Sequence, residues 1–116
     1  MDSKELAIVI AKALNSKKAQ DIKIIKIRDL TVITDFFVIA TGTSSTQVKA
    51  LAEEVEFQVE TNQNMQPLRK EGYDTRNWIV LDYANVVVHV FNSETRSQYD
   101  LERLWADGEM IDVNLD

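Results

Sequence analysis

The chain has 116 residues, 45% of them hydrophobic, no cysteine, and a formal net charge of -6 at pH 7. One folded domain is therefore expected, while wholesale disorder, disulfides, thiolate metal sites and cysteine nucleophiles are excluded. An acidic chain without a basic block is poorly suited to binding a nucleic-acid backbone, so a partner is expected to be a basic protein. No apolar run approaches the roughly 18 residues of a membrane span, and the N-terminus does not resemble a signal peptide, which predicts an intracellular, cytoplasmic protein.

The first 27 residues show the patterns of one helix and one strand. Asp2 and Glu5 have the spacing of a capping arrangement, and apolar residues follow at helical intervals, which predicts a helix at 3–17. Isoleucines interleaved with lysines at 22–27 then predict a strand.

A second strand and a second helix meet at a tight turn. The continuous apolar run at 35–41 predicts a strand buried on both faces. Ser44 and Gln47 have the spacing of a capping box, so the second helix is expected at 45–62. Because strand, turn and helix together suggest a crossover unit, a short strand around 67–69 should run parallel to the strand before the helix.

The central feature is a β-hairpin at 77–91, in which two apolar, β-branched runs are joined by Tyr-Ala-Asn. A loop of two or four residues gives one register, with Trp78 opposite Phe91, Val80 opposite His89 and Asp82 opposite Val87. Since successive side chains point to opposite faces, one face is apolar and predicted to be core: Ile79, Leu81, Tyr83, Val86, Val88 and Val90. The other face mixes large apolar groups with a carboxylate and an imidazole, which is typical of a contact surface: Trp78, Val80, Asp82, Val87, His89 and Phe91.

The residues after the hairpin predict one more helix. Asn92, Ser93 and Glu94 resemble a cap and first turn, and apolar residues continue to Trp105, which is expected to be core. Residues 1–106 are therefore expected to form the domain, and residues 107–116 an acidic C-terminal tail.

Two features raise the question of nucleotide chemistry. The turn at 42–45 precedes a helix N-terminus, which attracts anions, but its one glycine and lack of a P-loop lysine favour a plain turn and cap. Nucleotidyl transfer needs two or three carboxylates converging on metal, usually two on one strand. The candidates after the second helix are Asp74, Asp82 and Glu94, and no Asp-x-Asp or Asp-x-Glu pair lies on a strand there.

His89 is the only histidine. Without cysteine it cannot build an ordinary zinc site, and no recognisable catalytic triad accompanies it. It is expected either to make a hydrogen bond within the structure or to contact a partner from the mixed face. We accordingly expect no metal site.

Five stretches resemble, in order and with matching spacing, the ribosomal silencing factor family, also called Iojap-like. They are residues 33–45, 71–72, 78–83, 88–91 and 96–105. One departure is the turn at 83–85, which has no glycine where relatives often have one, so the exact turn type is left open.

The resemblance implies a single α/β domain, with a mixed five-stranded sheet and flanking helices, shaped like a nucleotidyltransferase without its catalytic carboxylates. It implies binding to the large ribosomal subunit through the ribosomal protein numbered fourteen. It further implies a steric block to joining of the small subunit, which represses translation in nutrient-poor or stationary conditions. A steric mechanism needs no chemical step, so the resemblance implies a protein that is not an enzyme and that needs no cofactor. Relatives are often homodimers when free.

The mixed face of the hairpin is the predicted site of the ribosomal contact. The expected contact residues are Trp78, Val80, Asp82, His89 and Phe91, with Tyr83 and Glu94 beyond the strand ends. The acidic charge suits a basic ribosomal protein better than ribosomal RNA, so little direct RNA contact is expected. Two alternatives stay open: a degenerate nucleotidyltransferase-like nucleotide-binding protein, and a homodimerisation module whose mixed face pairs with itself.

Overall fold

A computed structural model of the chain describes residues 2–27 and 34–111, which form four helices and six strands. The helices are α1 (Ser3–Ser16), α2 (Ser45–Gln63), α3 (Ser93–Tyr99) and α4 (Leu101–Leu104). The strands are β1 (Gln20–Lys26), β2 (Phe36–Gly42), β3 (Arg69–Glu71), β4 (Trp78–Asp82), β5 (Val86–Asn92) and β6 (Glu109–Met110). None of the helices within the described ranges combines the length and the hydropathy that crossing a bilayer requires.

The strands form one mixed sheet in the order β3-β4-β5-β2-β1-β6. The central neighbours β2 and β5 are parallel, and the other neighbouring pairs are antiparallel. The strand after α2, β3, does run parallel to β2, as the crossover pattern predicts. It lies at the edge of the sheet, because the two hairpin strands β4 and β5 are inserted between them.

The sheet has six strands in the described part of the chain, one more than the resemblance implies. The additional strand is β6, which pairs with β1 although its residues fall in the stretch expected to be a tail. Gly108 permits this close approach, since a Cβ there would lie 2.7 Å from Cγ2 of Ile25. The Ile111 N–H then donates to the Ile24 carbonyl at 2.9 Å. Residues 112–116 of the expected tail lie outside the described residues.

Helix ends follow local capping chemistry. The Asp2 side chain accepts a hydrogen bond from the Glu5 N–H at 2.8 Å, which confirms the predicted start of α1. The single helix predicted after the hairpin is instead divided into α3 and α4. Asp100 divides it, since its backbone has φ 19° and ψ 62°, outside the helical region, and its side chain accepts from the Arg103 N–H at 3.3 Å to begin α4.

The hairpin has the predicted register, with Trp78 opposite Phe91, Val80 opposite His89 and Asp82 opposite Val87. A hydrogen bond from the Tyr83 N–H to the Val86 carbonyl, 2.9 Å long, leaves a two-residue loop of Ala84 and Asn85. Ala84 has a positive φ of 71°, and the Asn85 N–H donates to the Tyr83 carbonyl across it at 2.9 Å. This tight turn is a strained conformation for any residue with a Cβ.

Replacing Ala84 with glycine is expected to stabilise the protein by about 1 kcal/mol, because glycine adopts the positive φ without the Cβ penalty. Asn85→Gly in the same loop is the matched control: Asn85 does not have a positive φ, so glycine there only adds freedom to the unfolded chain. Urea denaturation of the three proteins measures the effect. Equal destabilisation by both glycines would contradict the assignment of strain to Ala84.

Two cores lie on opposite sides of the sheet. The larger packs α1 and α2 against the side that we call the inner face, where the six side chains of the predicted core are exposed by 3% or less. A smaller core on the other side, the outer face, is formed by Ile25, Ile27, Ile39 and Phe91, against which Phe37, Trp78, Leu101 and Trp105 pack. The chain after α3 therefore covers part of the outer face and leaves the remainder free of helices within the described residues.

Candidate functional site

The outer face of the central strands gathers most of the predicted contact residues. The register of β4, β5 and β2 places eight side chains on it: Trp78, Val80, Asp82, Val87, His89, Phe91, Phe37 and Ile39. Their exposure differs along the sheet, because the segment that carries Leu101 and Trp105 packs over one part of this face. Trp78, Val80, Asp82, Val87 and Phe37 remain partly exposed.

Two of the predicted contact residues are buried: Phe91 is part of the smaller core, and His89 lies beside it. Phe91 is 1% exposed and His89 is 7% exposed, so neither presents an open side chain to a partner. The sequence predicts both on the mixed face, which is correct, but it does not show that the chain after the hairpin folds back over that face. Trp105, predicted to be core, is part of this covering layer and is itself partly exposed.

Tyr83 and Glu94 lie away from the outer face. Tyr83 is 3% exposed and packs in the larger core on the inner face, where burial and then the nearby Glu56 carboxylate raise the pKa of its hydroxyl. Glu94 is exposed in the first turn of α3, at the end of the hairpin opposite Asp82. Trp78, Val80 and Asp82 therefore share the outer face, whereas Tyr83 lies on the inner face and Glu94 lies beyond the sheet, at the end of the hairpin opposite Asp82.

An aromatic cluster occupies the centre of the outer face. The ring of Trp78 lies over that of Phe91, with centroids 4.9 Å apart and planes 30° from parallel. Phe37 meets both neighbours edge-on, at 4.8 Å from His89 and 5.7 Å from Trp105. The sequence analysis did not predict Phe37 as a surface residue. Alternation along the strand nevertheless places Phe37 and Phe36 on opposite faces of the sheet.

The imidazole of His89 makes an internal hydrogen bond, which is the first of the two roles that the sequence left open. The indole N–H of Trp78 donates to Nδ1 of His89 at 3.1 Å. Burial lowers the pKa of His89 to about 4, so the ring is neutral at physiological pH. A neutral imidazole that accepts through Nδ1 serves the structure of this face.

The carboxylate of Asp82 already has partners within the chain. Its Oδ1 accepts from the Ala84 N–H at 2.8 Å, and its Oδ2 lies 3.8 Å from an Arg69 guanidinium nitrogen on β3. The Arg69 side chain is 76% exposed to solvent, so this ion pair contributes little stability. Arg69, Glu71 and Asp82 thus form a charged edge beside the apolar centre of the outer face.

The turn before α2 is occupied by its own caps. Oγ of Ser44 accepts from the Gln47 N–H at 3.1 Å, and Oε1 of Gln47 accepts from the Thr43 N–H at 2.5 Å and from the Thr43 hydroxyl at 2.8 Å. The glycine has a packing role, because a Cβ on Gly42 would lie 2.9 Å from Cγ2 of Val48. These contacts support the interpretation of this stretch as a turn and cap.

The candidate catalytic carboxylates do not converge. Asp74 lies in the turn before β4, while Asp82 ends β4 and is separated from the Asp74 and Glu94 end of the hairpin by about 13 Å of strand. Across residues 2–27 and 34–111, no three histidine, aspartate or glutamate side chains are grouped so as to hold a metal ion.

Comparison with known proteins gives consistent matches over the whole chain. The family model described as "Ribosomal silencing factor during starvation" matches residues 1–116. The Ribosomal silencing factor RsfS of Bacillus subtilis is 36% identical over 114 residues, which cover 98% of this chain and 96% of that protein. A crystal structure of a Chromobacterium violaceum protein superposes with a TM-score of 0.88 at 31% identity, covering 100% of this chain and 95% of that one. The mouse protein "Mitochondrial assembly of ribosomal large subunit protein 1" is 32% identical over 84% of this chain and 43% of its own length.

Proposed function

Because this chain belongs to the ribosomal silencing factor family, we propose that it binds the large ribosomal subunit through its outer face and keeps the small subunit from joining. The contact is with a basic large-subunit protein, the one numbered fourteen. The block is steric, and translation is repressed in nutrient-poor or stationary conditions. No chemical step and no cofactor take part.

The observation that carries this proposal is the unequal covering of the sheet. The inner face is sealed by α1 and α2, whereas the outer face leaves Trp78, Val80, Val87 and Phe37 partly exposed beside one another. An apolar centre with a charged edge is the usual composition of a protein–protein interface, and tryptophan is a frequent anchor in one. Asp82 stands at the boundary of this apolar area and supplies a carboxylate for a lysine or arginine of the partner.

Charge supports a protein partner. The chain carries a net charge of -6, which attracts a basic ribosomal protein and repels the phosphates of ribosomal RNA.

The alternative is that the free protein forms a homodimer through the same face. Sedimentation at several protein concentrations, with and without large subunits, separates ribosome binding from self-association.

Charge reversal at Asp82 tests the binding face. Asp82→Arg is expected to weaken co-sedimentation with large subunits by at least about tenfold, since it places a cation opposite the basic partner. The matched control is Glu53→Arg, the same charge change at an exposed position of α2 on the other side of the sheet, which should bind as the wild type does. Arg69→Gln removes the internal ion pair without adding charge and should also bind.

A second assay tests the proposed consequence of binding. Purified large and small subunits are mixed with the protein, and the fraction of joined ribosomes is measured on a sucrose gradient. The wild type and Glu53→Arg should lower that fraction, and Asp82→Arg should not. Unchanged binding by a folded Asp82→Arg protein would refute the assignment of the outer face, and unchanged joining in the presence of bound wild type would refute the steric block.

A further inference from the structure

Trp78 and His89 are linked across two strands of the outer face. Val80 is the residue opposite His89, so Trp78 is its diagonal neighbour on β4. The indole N–H reaches the imidazole Nδ1 at 3.1 Å, and the two rings are tilted by 39° with centroids 5.9 Å apart. One ring is partly exposed and the other is buried.

We infer that His89 is a positioning residue for the proposed ribosomal contact: its Nδ1 holds the Trp78 indole against the sheet in the orientation that the partner meets. This inference rests on the proposed function and adds the hydrogen bond that fixes the orientation of Trp78. His89 itself does not touch the partner.

The chemistry of the two rings fixes the proton arrangement. An indole nitrogen can only donate, so Nδ1 of His89 must be unprotonated and the proton of the neutral ring must lie on Nε2. Nε2 is buried and has no hydrogen-bond partner among the described residues. A buried donor without an acceptor is unfavourable, and a phenylalanine side chain would fill the same space without burying such a donor. The hydrogen bond that Nδ1 accepts therefore explains why the residue at this position is a histidine.

Packing makes the imidazole a rigid support. The ring is nearly parallel to Phe91, at 10° and a centroid distance of 6.1 Å, and Phe37 meets it edge-on at 4.8 Å. With 7% exposure it has little freedom to rotate. The indole, lying over Phe91 on one side and hydrogen-bonded to this ring, is held in its bound orientation before a partner arrives. Preorganisation of an aromatic anchor raises affinity because fewer rotamers are lost on binding.

The hydrogen bond can be tested without any partner. His89 is the only histidine, so its ring nitrogens give one set of NMR signals, which should show a proton on Nε2 and none on Nδ1. The Trp78 indole N–H, distinguished from that of Trp105 with the variant Trp78→Phe, should exchange slowly with solvent. His89→Phe should make that proton exchange at least about tenfold faster, and a proton on Nδ1 or unchanged exchange would overturn the inference.

The positioning role is tested by a double-mutant cycle on large-subunit binding. His89→Phe is expected to weaken binding about tenfold in the wild-type background and to have no effect in the Trp78→Ala background, because it acts through the indole. His89→Gln, whose carboxamide oxygen can accept a hydrogen bond from the indole N–H, should recover part of the lost affinity. It also replaces His89→Phe in the experiment if the phenylalanine variant does not fold. Equal losses in both backgrounds would refute positioning. Failure of the wild type to bind would instead refute the proposed function, and the NMR result would still decide the hydrogen bond.

Discussion

Replacing Phe91 with alanine is expected to lower the free energy of unfolding by about 3–5 kcal/mol, the cost of removing a buried aromatic side chain and leaving a cavity. Phe91 is 1% exposed and forms the smaller core with Ile25, Ile27 and Ile39. Its ring also lies directly beneath Trp78. Truncation of Phe91 should therefore remove the packing beneath Trp78 on the outer face and also destabilise the whole domain.

Urea denaturation measures this effect, and Val80→Ala is the control on the same face. Val80 is partly exposed to solvent and belongs to neither core. Its truncation should therefore lower the free energy of unfolding by about 1 kcal/mol or less. If Phe91→Ala cost as little as Val80→Ala, Phe91 would not be a core residue and the original prediction of a direct contact would regain support.

Acidification from pH 6.5 to about 4 is expected to remove about 3 kcal/mol of stability through His89 alone. Burial lowers the pKa of His89 from 6.5 to about 4 in the folded chain, while the unfolded chain keeps the ordinary value. Between the two values the unfolded state binds more protons than the folded state, so stability falls as the pH falls. The destabilisation begins near pH 6.5 and is complete near pH 4.

The control for this pH dependence is His89→Gln, which does not titrate. Carboxylates contribute equally to both proteins, so the difference between the two stability profiles isolates the imidazole. Guanidinium or urea denaturation at several pH values between 7.5 and 4 gives both curves. Parallel curves would show that His89 is not buried in its neutral form.

The hairpin could be predicted in detail because its physics is local. Alternation along 77–91 and an even loop determine both the register and the sorting of side chains, without reference to the remainder of the chain. The capping residues Asp2 and Ser44 marked the starts of the two long helices for the same reason. Residues 36–40 are apolar throughout because β2 lies inside the sheet, between β1 and β5, and is covered on both faces.

The candidate site was predicted only in part, because the exposure of the mixed face depends on contacts between distant segments. Nothing local to Phe91 or His89 shows that Leu101 and Trp105 return to pack over that side. The strand β6 was missed because two residues are too few to show a period. Asp100 divides the third helix through a single backbone conformation, which the apolar spacing of its neighbours does not reveal.

The parallel pairing of β2 with β5 has a consequence for synthesis of the chain. Val38 is aligned with Val88, so β2 cannot pair with β5 until about fifty more residues have been translated. Until then the growing chain carries an apolar strand without its central neighbour, a state that invites misassociation. A protein proposed to act on ribosomes thus completes its own core only after most of it has been translated.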